Sequence, residues 1–259
     1  MSNKKLNWSH NEDLFTKKSS LFKKVFQGST EKTQKQIDDT SNLIGLNITG
    51  NMRRYFETLR DSVLQTKDSS SQSPSLIAIV SCYRGEGVST IASNLAATFA
   101  QSSDNHVLLV DINYRDPSAH QIFGVKLSPG LGEILFNGQD IKTVIQPTVI
   151  ENLFILSAGE IEKDSNINFE SQAFADLLHT LKQDYNFVIF DSPPIGVTSS
   201  TARLASLLNG VILVIEAERV RWEAAQRVKE QLVKANANIL GVVLNKKQFH
   251  IPRWLYKTL

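Results

Sequence analysis

The residues best suited to chemistry lie in the run Ser81-Cys82-Tyr83-Arg84-Gly85-Glu86-Gly87-Val88-Ser89-Thr90, which leads from a short apolar stretch into the helical pattern Ile91-Ala92-Ser93-Asn94-Leu95-Ala96. A glycine-rich turn between a buried strand and a helix N-terminus gathers backbone N–H groups at one point, and the helix dipole favours an anion there. Arg84, Gly85, Glu86, Gly87, Val88, Ser89 and Thr90 are therefore candidate phosphate-binding residues. In the phosphate-loop pattern G-x-x-x-x-G-K-[ST] the lysine reaches the outer phosphates and the hydroxyl holds magnesium. This chain keeps the hydroxyl at Ser89 but has Val88 in the lysine's place. Loss of that cation weakens binding, and it harms phosphoryl transfer more, because charge stabilisation is most of what a protein supplies to that reaction. Arg84, four residues earlier, is the nearest substitute. Taken alone, the loop reads equally well as a tight turn that binds no phosphate.

Two further segments shift that balance. The runs Leu108-Leu109-Val110-Asp111 and Phe187-Val188-Ile189-Phe190-Asp191 each end a buried strand on a carboxylate, where magnesium beside a phosphate loop would lie. A lone Asp at such a place is usually a cap or turn residue. Two of them in this order, with Pro193-Pro194 after the second, reinforce the phosphate reading.

The scaffold around these residues follows from periodicity. Apolar runs at Leu76–Val80, Val107–Val110, Leu153–Leu156, Phe187–Phe190, Val211–Ile215 and Ile239–Leu244 alternate with helical stretches at Ile91–Ala100, Ala173–Lys182 and Trp222–Ala235. Continuous apolar strands separated by helices predict an α/β fold, a three-layer parallel sheet with helices on both faces and ligands beyond the strand C-termini. Residues 51–66 read as a preceding helix, and Ser69-Ser70-Ser71 break the chain before the first strand. The expected organisation is a basic arm over 1–48 and one α/β domain over 49–259 that includes a tail over 246–259.

With 41% apolar residues among 259, the chain can bury one large core, which excludes fibrous and disordered classes. The single cysteine, Cys82, needs no oxidising compartment, and no apolar run approaches the roughly 18 residues of a membrane span. The N-terminus lacks the apolar stretch of a signal peptide, so the expectation is a cytoplasmic protein with at most peripheral membrane contact. The net charge of +2 hides an asymmetry. Lys4, Lys5, Lys17, Lys18, Lys23 and Lys24 outweigh Glu12 and Asp13 in the first 30 residues, leaving the remainder at −2. A near-neutral body argues against nucleic acid as a partner. Leu14, Phe15, Leu21, Phe22, Val25 and Phe26 fall on one side of a helical wheel, as in a basic amphipathic helix for an anionic membrane surface or a partner's groove; a solvated tail is the plainer reading.

Taken together, the Gly85-to-Thr90 loop with Asn94-Leu95-Ala96, the motif through Asp111, Arg115 and Pro117, Asp191 with Pro193-Pro194, the ending Leu240–Asn245 and the tail Ile251–Tyr256 resemble the bacterial tyrosine kinases. These are P-loop proteins of capsule and exopolysaccharide production, related to the MinD and ParA ATPases. The resemblance spans roughly residues 50–259. It implies a P-loop NTPase-like domain that binds Mg-ATP or Mg-ADP, forms a ring with neighbouring copies, acts with a membrane polysaccharide co-polymerase at the inner face of the membrane, and phosphorylates tyrosines in a neighbour's tail. Carried over, it implies that Gly85 to Thr90 cradle phosphate, that Ser89, Asp111 and Asp191 hold magnesium, that Asp111 is also the candidate base, and that Asn245 lies near the adenine.

The departures are equally informative. Besides Val88, the second carboxylate of the second-strand motif is Asn113, and the Asp expected after the proline pair is Ser200. The assembly motif Glu-x-x-Arg-x-x-Arg reads Arg54-x-x-Glu57-x-x-Arg60, and the tail carries one tyrosine, Tyr256, as the only acceptor. The expected function is thus a pseudokinase scaffold or regulator, with the exchanged Arg54/Glu57 pair suiting a mixed oligomer with an active kinase relative. The alternatives are an active autokinase that phosphorylates Tyr256 and a MinD/ParA-like positioning ATPase.

Overall fold

In the computed structural model the described residues are 51–66, 75–102, 105–161, 167–196 and 199–248. The basic arm, the amphipathic pattern within it and the tail from 249 onward, Tyr256 included, lie outside them. In chain order the elements are α1 (Asn51–Gln65), β1 (Ser75–Ser81), α2 (Val88–Ala100), β2 (Val107–Asp111), α3 (Ala119–Phe123), α4 (Leu131–Asn137), α5 (Ile141–Val144), β3 (Gln146–Pro147), β4 (Leu153–Leu156), α6 (Gln172–Asp184), β5 (Phe187–Asp191), α7 (Ser199–Ser206), β6 (Gly210–Glu216), α8 (Trp222–Lys234) and β7 (Ile239–Asn245).

The strands form one sheet in the order β3-β4-β2-β5-β1-β6-β7. All pairings are parallel except that of β3 with β4. The expected all-parallel sheet is thus corrected at one edge by a two-residue antiparallel strand, Gln146–Pro147, too short to leave a period-2 signature. Every residue of β1, β2 and β5 is buried, as continuous apolar runs require when both faces are covered. On one face the apolar cluster draws on α1, α2 and α3, through Phe56, Leu95, Phe99 and Phe123; on the other it draws on α6, α7 and α8, through Phe174, Leu181, Leu204 and Leu232. The Phe99 and Phe187 rings stack at 4.2 Å and join α2 to β5.

The run Ile239–Leu244 forms a strand as expected but is not covered on both faces. Among the described residues β7 is an edge strand paired on one side, with β6, and Val242 and Leu244 are more than half exposed.

Because β5 lies between β1 and β2, the sheet brings three sequence-distant segments together at one end. Asp111 and Asp191 are register partners, and Ile79, two residues before the end of β1, is level with Asp191.

Candidate nucleotide site

A cleft of about 380 Å³ opens beyond the C-terminal ends of these strands, lined on one side by Tyr83, Arg84, Gly85, Gly87, Val88, Ser89 and Thr90. Its far wall comes from the turns after β2, β5 and β7, through Asn113, Asp116, Ser118, Ser192, Pro194 and Lys246. The loop that starts α2 is built to hold its shape. Gly85 and Gly87 sit at φ +82° and +93°, conformations that residues with a Cβ rarely adopt. Gly87 caps α2 without any side-chain hydrogen bond, so the first-turn N–H groups remain available to an anion. A Cβ on Gly87 would also run into the Asn245 side-chain amide.

The loop's outer side is fastened from within the protein. Asn245 Nδ2 donates to the Glu86 carbonyl at 2.8 Å, and Lys246 Nζ donates to the Gly85 carbonyl at 2.6 Å and to Glu216 Oε2 at 3.2 Å. Glu86 is wholly buried, and its Oε1 accepts from the Tyr83 N–H at 2.6 Å. Burial pushes its carboxyl above the usual range, against the pull of neighbouring backbone N–H groups. Of the residues expected to touch nucleotide, Glu86 therefore turns its side chain inward, and Asn245 uses its amide to brace the loop. Counted back from Val88, the first glycine's place in the phosphate-loop pattern falls on Cys82, which is buried and whose thiol burial pushes up to about 11.

Val88 is the first residue of α2, 8% exposed, and belongs to the apolar cluster shared with α1 and α2 while also lining the cleft. The position that would carry the phosphate lysine thus presents only methyl groups. Among the described residues, two cations line the cleft elsewhere: Arg84, whose Nη2 lies 3.1 Å from Asp116 Oδ2, and Lys246. Neither Asp116 nor Lys246 was singled out by the sequence. Asp116 sits in the turn that follows the Asp111 strand, and Lys246 directly follows the candidate Asn245.

Asp111 and Asp191 differ sharply. Asp111 accepts from Asn113 N at Oδ1 and from Ser118 N and Ala119 N at Oδ2, each at 3.0 Å, so three of its four acceptor sites hold the turn. Burial raises its pKa against those three N–H groups. Asp191 is 1% exposed, and neither carboxyl oxygen has a hydrogen-bond partner. Burial pushes its pKa well above the ordinary value, and the adjacent Asp111 and then Asp116 push it further. The Ser89 hydroxyl is near enough to pull it back in part, yet outside hydrogen-bonding geometry to either oxygen. An orphaned buried carboxylate beside a hydroxyl has the donor chemistry of a hard divalent cation such as Mg²⁺.

On α1, the expected assembly residues are distributed differently. Arg54 is exposed, Glu57 pairs at 2.7 Å with Arg53, one turn earlier, and Arg60 bonds Asp61 and the Ser102 hydroxyl.

A parallel sheet with a glycine loop at β1 and carboxylates at two neighbouring strand ends is the architecture of the P-loop NTPase fold. The family model described as ParA, NUBPL iron-transfer P-loop NTPase, matches residues 72–257. A putative tyrosine-protein kinase, CapB of Staphylococcus aureus, is 31% identical over 170 residues, 66% of this chain and 74% of that protein. Within the ParA-type P-loop proteins, the chain belongs to the bacterial tyrosine kinase family. The crystal structure of the chimerical protein CapA2B2 matches with a TM-score of 0.73 at 30% identity, covering 85% of this chain and 100% of that one. The septum site-determining protein MinD of Pyrococcus horikoshii OT3, solved with Mg-ADP, shares the fold at TM-score 0.56 and 23% identity, over 71% of this chain and 76% of that one. Among the described residues no helix is long and apolar enough to cross a membrane.

Proposed function

We propose that this protein is a pseudokinase of exopolysaccharide or capsule production, occupying a tyrosine kinase's place beside a membrane polysaccharide co-polymerase as scaffold or regulator at the inner face of the membrane. The observation that carries the reading is Val88, buried where the phosphate lysine belongs. The loop N–H groups from Gly85 to Thr90 bind the phosphates of Mg-ADP or Mg-ATP, and Arg84 supplies the cation. Asp191 and Ser89 hold Mg²⁺, and Asp111, level with Asp191 on the adjacent strand, fastens its own turn. The metal's contribution, when bound, is to neutralise phosphate charge. Without the lysine, binding is weak and transfer is lost.

Arg54 and Glu57 exchange the motif's first two charges, and Arg53 already occupies Glu57 within the helix. This pattern suits a mixed oligomer with an active relative better than a ring of identical copies. Native mass spectrometry would then show mixed oligomers in preference to homo-oligomers; equal amounts of both would overturn the mixed assembly.

The testing experiment is titration calorimetry with Mg-ADP, for this chain and for Val88→Lys. The unaltered chain should bind with Kd above roughly 100 µM, weaker than about −5.5 kcal/mol. Val88→Lys should bind at least about tenfold tighter, because a charge-assisted hydrogen bond contributes about 1.5–3 kcal/mol. Micromolar binding by the unaltered chain, together with phosphotyrosine at Tyr256 under Mg-ATP, would refute the pseudokinase. The cations Arg84 and Lys246 in the cleft favour that second reading, an active autokinase, over any reading without nucleotide.

A further inference from the structure

We propose that Asp116 sets the affinity of the cleft for nucleotide phosphate by holding Arg84 across its mouth. This rests on the reading of the cleft as a nucleotide site. Arg84 comes from the glycine loop after β1 and Asp116 from the turn after β2. Their ion pair, Nη2 to Oδ2 at 3.1 Å, joins the two walls, and both residues line the cleft.

Asp116 is presented by a turn that is itself fixed. Its N–H donates to the Asn113 carbonyl at 2.9 Å, its carbonyl accepts from Asn113 Nδ2 at 3.1 Å, and the Asn113 N–H is held by buried Asp111 at 3.0 Å. Both side chains are exposed, Arg84 at 61% and Asp116 at 68%, but Asp116 reaches out on a short side chain from that held turn and Arg84 on a long flexible stem. The movable partner is therefore the cation, and the anion is anchored.

Among the described residues that line the cleft, Arg84 is the cation free to change hands. Val88 contributes none, and Lys246 is engaged by the Gly85 carbonyl and Glu216. A guanidinium matches phosphate oxygens with two parallel N–H bonds, and the phosphate carries more charge than a single carboxylate. The ion pair is exposed on both sides, so it holds Arg84 weakly and yields to an incoming phosphate. Binding thus exchanges one partner of Arg84 for another, and the affinity measured is reduced by the strength of the pair that must open.

Asp116 also repels an anion directly, being close enough to push up the Asp191 pKa. A double-mutant cycle separates the two effects. Mg-ADP binding is measured by calorimetry on the full chain and on Asp116→Asn, Arg84→Gln, the double variant and Asp116→Glu, and the same set is repeated in the Val88→Lys background. Asp116→Asn should tighten binding about two- to fivefold, the range of an exposed ion pair. Arg84→Gln should weaken it, and in that background Asp116→Asn should change little. Asp116→Glu, which restores the charge, should restore the weaker affinity. Melting temperatures should stay within a degree or two, so that unfolding does not enter. If Asp116→Asn tightens binding equally with and without Arg84, Asp116 acts by plain repulsion and the proposal is overturned; it is overturned likewise if Asp116→Asn leaves affinity unchanged or weakens it while Val88→Lys binds. If no variant binds nucleotide in either background, the nucleotide reading itself fails, and this inference with it.

Discussion

Replacing Asp191 by Asn should make the metal-free protein more stable while removing its response to Mg²⁺. The carboxylate is 1% exposed, has no donor to either oxygen, and stands in register beside a second buried carboxylate. A buried acceptor left without a donor costs about 1–3 kcal/mol, more when charged. Asn keeps the shape and removes the charge and its repulsion by Asp111 while leaving an unpaired amide, so a net gain of about 1 kcal/mol is expected near neutral pH, or about 2–4 °C in Tm for a body of this size. The pH dependence has a definite sign. The folded pKa is raised above 3.8, so the carboxyl carries no penalty while it is protonated in both states. Stability is lost as pH rises from there through the folded value. The advantage of Asp191→Asn should therefore be nil at the acid end, widen with rising pH and then level off. Thermal melts between pH 4 and 8, in EDTA and in Mg²⁺, would show it. Mg²⁺ should raise Tm for the wild type and leave the variant unmoved. A variant that melts below the wild type in EDTA at pH 7, or equal Mg²⁺ stabilisation of both, would refute the assignment of Asp191 as an unpartnered cation ligand.

Three further outcomes follow from the packing. Asn245→Ala leaves the Glu86 carbonyl without its donor, and should cost about 1–2 kcal/mol in urea unfolding and weaken Mg-ADP binding to the glycine loop. Phe99→Ala opens a cavity where α2 stacks on β5 and should cost about 3–5 kcal/mol by the same measurement. Buried Glu133 accepts from Gly130 N, Ser128 Oγ and Glu160 N; burial alone would raise its pKa, but these donors outweigh it and hold the pKa below 4.5. Its contribution is present above that value and lost as pH falls through the folded one, so the deficit of Glu133→Gln, about 1–3 kcal/mol at pH 7, should shrink in acid.

The sheet's central strands were legible because Leu76–Val80, Val107–Val110 and Phe187–Phe190 are continuous apolar runs, and a strand buried on both faces needs nothing else. The same pattern misleads at Ile239–Leu244, where the edge position, set by topology, leaves Val242 and Leu244 exposed. The short elements α3, α5 and β3 are too brief to show a period, and tertiary contacts place them. The loop and the two strand-end carboxylates could be read from spacing. Their unequal roles could not, because Asp111 is occupied by N–H groups of residues 113, 118 and 119, whose convergence depends on how the turn closes. Lys246 and Asp116 carry no motif of their own; they matter through what they face.

Val88 could have been one element of a collapsed site, and the surrounding geometry argues otherwise. Here the loop's carbonyls at Gly85 and Glu86 are held by Lys246 and Asn245 from the end of β7, and its Tyr83 N–H by Glu86 from beneath. None of these fastenings involves position 88. A branched apolar residue at the first turn of α2 instead adds to the cluster beneath the helix. The loop's shape is therefore separable from its charge. That is why one substitution, Val88→Lys, should restore affinity without rebuilding the loop, and why its cost in stability should be no more than about 1–2 kcal/mol, the burial of a Val side chain that the lysine stem in part replaces.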